Sequence, residues 1–147
     1  MAWVGVLVGF GVCLTSLHAA PRISDIQYEF VPGERESDTR RMVKKRLVKF
    51  NHYIKSPSHE VFYVNWDADQ GLGPGATVIF EYRQGRSAVN RVVKFQYPTA
   101  VAGKKRTTFN IPAVDVGSGG RVSAWRVRLV HDQKILSSRV SPSWDAR

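Results

Sequence analysis

Six cations fall within ten consecutive residues: Arg40, Arg41, Lys44, Lys45, Arg46 and Lys49. In the run Val43-Lys-Lys-Arg-Leu-Val-Lys-Phe50, three are adjacent and a fourth follows three residues later. Several therefore face one way whether the backbone is a helix or a strand. The chemistry open to such a cluster is electrostatic: it can hold the phosphate, sulfate or carboxylate groups of a polyanion and release their counterions. The pattern is one associated with heparin-type sulfated polysaccharides, and a solvated basic loop accounts for the same residues. Phe50, Tyr53 and Trp66 are the aromatic candidates to stack on a sugar or base beside it. A second set, Arg83, Lys94, Arg126 and Arg128, is placed to line the outer face of a sheet, although cations on exposed strands also guard against edge pairing.

Other chemistries are poorly provided for. Asp67-Ala-Asp69-Gln-Gly71 opens like a calcium loop, but position 78, where the closing bidentate glutamate belongs, is Val78. Turn-forming aspartates explain the stretch better. His18, His52, His59 and His131 show no zinc-ligand spacing, and the only cysteine is Cys13. No Gly-x-Ser-x-Gly elbow occurs, and the twelve acids lie mostly in loops beside basic residues. No catalytic residue, metal or cofactor is expected.

Every charged residue follows position 20, so the chain beyond it carries the whole formal net charge of +10. A field of that sign favours anionic partners in general, and it also keeps an exported protein soluble. The stretch Trp3 to Leu14 is apolar or glycine throughout and exits through His18-Ala19-Ala20. It is short of the roughly 20 apolar residues that span a bilayer, which favours a cleaved signal peptide over residues 1–20, with an uncleaved membrane anchor as the alternative. Cys13 lies within that segment, so the exported domain has no disulfide to staple it.

The elements that must position these residues are strands. Val61 to Trp66, Thr77 to Arg83, Arg91 to Tyr97, Arg106 to Ile111, Val122 to His131 and Ile135 to Val140 are short alternating runs separated by turn residues. Pro98 and Pro112 cannot donate to a ladder and mark strand ends. Alternation puts Phe62, Val64, Trp66, Val78, Phe80, Tyr82, Trp125, Val127 and Leu129 on inward faces, which must pack against one another about 10 Å apart. Ile23 to Val31 reads as a further strand. Residues 40–55 satisfy both a helical spacing and a strand alternation, and the strand is favoured because it supplies a first strand at a suitable distance before Trp66.

Val64-Asn-Trp66-Asp, the Gly/Pro stretch after it, Val78-Ile-Phe80-Glu-Tyr82-Arg83, Thr108-Phe-Asn-Ile111 and Trp125-Arg-Val127-Arg-Leu129 are similar to the strand landmarks of a fibronectin type III domain, over about residues 46 to 144. The resemblance implies a two-sheet antiparallel β-sandwich and carries no particular function, because the fold hosts many unrelated ones. A plain immunoglobulin-like or other two-sheet topology fits the same alternation. The expected protein is thus all-β: a signal at 1–20, a strand and basic polar loop at 21–45, and a sandwich at 46–147. Its expected role is a non-enzymatic exported binding module, in the periplasm or outside the cell, that holds an anionic polysaccharide or envelope surface through the basic cluster. Nucleic acid is not the expected partner. The alternative is an assembly protein that pairs with another exported protein through an exposed sheet edge such as Arg91 to Tyr97.

Overall fold

In a computed structural model, the structure describes residues 19–35, 42–43, 46–47 and 54–145. Residues 1–18, which hold most of the expected signal, lie outside them. Three strands form one antiparallel sheet: β1 (Arg22–Val31), β6 (His59–Leu72) and β9 (Val101–Ile111), with β6 in the middle. Four form the other, in the order β11 (Lys134–Val140), β10 (Val122–His131), β7 (Thr77–Gln84) and β8 (Arg91–Gln96). Between β1 and β6 run the short strands β2 (Glu34–Arg35), β3 (Met42–Val43), β4 (Arg46–Leu47) and β5 (Ile54–Ser56). They pair as β2 with β5 and β3 with β4, apart from both large sheets. The protein is a β-sandwich.

The alternation that defines β7 is complete: Val78, Phe80, Tyr82 and Gln84 face in, while Thr77, Ile79, Glu81 and Arg83 face out. Across the ladder Val78 meets Leu129 and Phe80 meets Val127, so the inward residues of β10 fall in step. Phe62 of the first sheet closes on Phe80 of the second with ring centroids 4.8 Å apart, and Phe109 stacks on Phe80 from the same side at 5.2 Å. Burying such rings supplies most of the drive to bring two sheets together. Trp66 is 1% exposed and needs a partner for its indole N–H, which donates to Thr107 Oγ1 at 3.0 Å. Eight of the nine residues expected in the core are buried. The ninth, Trp125, is only half-buried and packs against the cluster, next to a bulge between Val122 and Ala124.

Three boundaries differ from the expected ones. The edge strand of the first sheet is β1, paired along β6 from Arg22↔Asp67 to Val31↔His59, so the sandwich begins there and not at residue 46. Of the stretch 40–55, the residues 42–43, 46–47 and 54–55 are described and lie in the short strands, and the rest falls outside the described residues. The turn-rich region expected after Trp66 is instead the far half of β6, which carries Asp67 and Asp69 and passes a register shift before Leu72, where Gly71 takes φ +75°. A short helix, α1 (Ala113–Gly119), occupies what reads in sequence as a glycine loop. Gln84 fixes it: its buried amide donates to the carbonyls of Asp115 and Gly120, each at 2.8 Å. A side chain at Gly119 would start 2.2 Å from Gln84 Oε1 and would displace the amide that holds the helix.

Candidate functional site

Of the basic cluster, Arg40, Arg41, Lys44, Lys45 and Lys49 lie outside the described residues, and of Arg46 only its place on β4, opposite Val43, is described. The second expected set lies together on the outer face of the four-stranded sheet, but its arginines are engaged. Glu81 takes Arg126 Nε at 2.5 Å and Arg128 Nη2 at 3.1 Å. The hydrogen bond from Arg126, followed by the Coulomb pull of Arg128, holds the Glu81 carboxyl below the ordinary glutamate range despite partial burial. Arg83 donates to the carbonyls of Ser143 and Trp144. Its guanidinium also lies 4.8 Å from the Trp144 ring centroid, with Arg126 at 5.1 Å. The chain after β11 therefore folds back over this face, with Trp144 held by two arginines. Lys94, across from Ile79 on β8, remains exposed with no ion pair among the described residues.

A different group of cations gathers on the first sheet, with no ion pair among the described residues. Antiparallel register sets Arg22, Asp67 and Lys104 side by side across β1, β6 and β9, and sets Asn65 beside Arg106. These residues, with Ser24, Trp66 and Lys105, line a depression of about 480 Å³ at one end of the three-stranded sheet. Ser24 is the extra residue of a bulge between Ile23 and Asp25, and its hydroxyl donates to the Asn65 carbonyl at 3.0 Å. Arg106 Nε donates to Asn65 Oδ1 at 2.9 Å, and its guanidinium covers the Tyr63 ring at 5.4 Å. Arg22, Lys104 and Lys105 make no ion pair among the described residues. Asp67 Oδ1 is shielded and accepts no hydrogen bond. Asp25, opposite Asn65, is the nearest further carboxylate along β1.

Contiguous cation runs draw the eye to 40–49, whereas this depression is assembled from residues some forty positions apart. Its visible signal is the triplet Lys104-Lys105-Arg106, which continues an alternating strand toward its start.

At the opposite end of the same sheet, Glu60 is fully buried. Tyr28 donates to its Oε1 at 2.7 Å, the Val122 amide donates to its Oε2 at 2.9 Å, and Arg121 Nε lies 3.3 Å away. Both of its oxygens accept hydrogen bonds that join β1, β6 and the start of β10. Among the described residues no three His, Cys, Asp or Glu side chains converge on a possible metal position. No helix among them is long and apolar enough to cross a membrane.

No protein-family model matches the chain, and no curated protein matches it. Among solved structures, one from Akkermansia muciniphila is similar at 12% identity and a TM-score of 0.48, covering 84% of this chain and 73% of that one. A likeness of that size carries no argument about function.

Proposed function

We propose that this protein is a non-enzymatic exported binding module, of fibronectin type III-like build, that holds an anionic polymer. The order of the large strands supports that build. The first, second and fifth in chain order share one sheet and the others share the second, so β8 stays beside β7. In a constant-type immunoglobulin domain the fourth strand joins the first sheet instead.

The observation that carries the binding role is the set of cations gathered at one end of the first sheet with no ion pair among the described residues, on a body of net charge +10. Arg83, Arg91, Arg121, Arg126 and Arg128 have carboxylate or aromatic partners on the protein itself, whereas Arg22, Lys104 and Lys105 make no ion pair among the described residues. The cations at 40–49 add to the same field. Retention on sulfated and phosphorylated polysaccharide columns tests the reading. It is expected to fall steeply with salt, since bound cations displace counterions. A Lys44/Lys45/Arg46→Ala variant of confirmed folding is expected to elute earlier. Retention indifferent to salt would remove the electrostatic mechanism.

One observation favours a second reading, that of an assembly protein. β8 is an edge strand whose apolar side chains are exposed on both faces: Val92 is 50%, Val93 38% and Phe95 46% exposed. An uncovered strand of that kind is a template for another strand.

A further inference from the structure

We infer that the depression between Arg22 and Arg106 is a subsite for an acidic sugar unit, which names the substrate class of the binding role proposed above and rests on it. Three features lead there. The first is charge: four cations against one carboxylate leave the lining net positive, enough to take a sulfate or a uronic carboxylate. The second is the carboxylate itself. A site built only for phosphate or sulfate gains nothing from Asp67 among its cations, yet Asp67 lines the floor with neither Arg22 nor Lys104 in ion-pair range.

A carboxylate with an unmet oxygen, placed beside unmet cations, is half of a network. A ligand that brings both an acid group and hydroxyls completes it: the cations take the acid group, and Asp67 accepts a hydroxyl hydrogen. Oδ1 is shielded, so it is the other Asp67 oxygen that meets the hydroxyl. The third feature is the absence of an open aromatic face. Trp66 is buried and Tyr63 is covered by Arg106, so the lining offers no ring for a nucleobase to stack on.

The test is calorimetric titration of the full exported domain with a heparin-derived hexasaccharide, a hexagalacturonate and inorganic polyphosphate. The proteins are wild type, Lys104→Ala/Lys105→Ala, Asp67→Asn and Lys44→Ala/Lys45→Ala/Arg46→Ala, each checked by thermal melting. Loss of about tenfold or more in saccharide affinity is expected for the Lys104/Lys105 variant. Asp67→Asn is expected to weaken saccharide binding while leaving polyphosphate binding unchanged or tighter. Which of the two oligosaccharides binds more tightly separates sulfate from carboxylate as the acid group. If Asp67→Asn tightens all three ligands, the depression is a plain anion patch and the sugar assignment falls. If only the Lys44/Lys45/Arg46 variant loses saccharide, polymer binding stands and this subsite does not. If no variant changes and binding ignores salt, the binding role fails as well.

Discussion

Glu81 is pulled by two arginines, and the sign of its contribution to stability follows from that. Its folded-state pKa lies below the ordinary glutamate value, with the Arg126 hydrogen bond as the first cause. A depressed carboxylate stabilises the folded state fully above its unfolded pKa, about 4.3, and loses that contribution as pH falls through the folded value. Acid melting curves of wild type and Glu81→Gln should therefore converge below about pH 4, with wild type the more stable above it. Curves that stay parallel would show that the pair contributes nothing measurable, a common result for solvent-screened ion pairs. The same trio shows how far outward-facing residues are legible. Alternation puts Arg126, Arg128 and Glu81 on one face, but the return of Trp144 over that face depends on a turn at Ser141 to Ser143 that no periodicity announces.

Among elements, β7 and β10 are the most legible and β9 the least. A central strand is buried on alternate residues by both neighbours, so its sequence carries the period; Val78-Ile-Phe-Glu-Tyr82 shows it plainly. The first half of β9, Val101-Ala-Gly-Lys-Lys-Arg106, has one buried apolar residue, Val101, and is a strand because β6 dictates its register. Helix α1 is similarly a tertiary product, held by Gln84 across the sheet end. The edge strand β8 is legible as a strand, and its expected place at a sheet edge agrees with the strand order, but nothing local says that its inward face overhangs the narrower sheet opposite. That overhang leaves Val93 and Phe95 exposed. If the edge pairs with another copy, sedimentation velocity should show a weight that rises with concentration, and Val93→Lys should hold the protein monomeric. Wild type sedimenting as one monomeric species at every concentration would remove self-pairing.

Over the whole molecule, two sheets are joined by an apolar interior at one level and by a polar tie at another. Glu60 couples β1 and β6 of the first sheet to the start of β10 in the second. Glu60→Ala would strand the Tyr28 hydroxyl and the Val122 amide, and a loss of about 2–3 kcal/mol in unfolding free energy is expected. A denaturant midpoint unchanged by that substitution would show that the tie is dispensable.

The two-sheet architecture is readable from alternation because facing apolar rows have few ways to pack. The basic depression is not, because it exists only once β1, β6 and β9 are in register, and in the sequence Arg22 stands far from the lysines it joins. That register also fixes a leash. Arg22 is already paired in the sheet, two residues beyond Ala20, and two residues of chain reach no further than about 7 Å. A leader that remained in a membrane would thus seat the Arg22 end against the head groups and give Lys104 and Lys105 lipid phosphates to meet. Were residues 1–20 cut off as a signal, the same end would instead face the surrounding medium, and the anions within its reach would change with that cut.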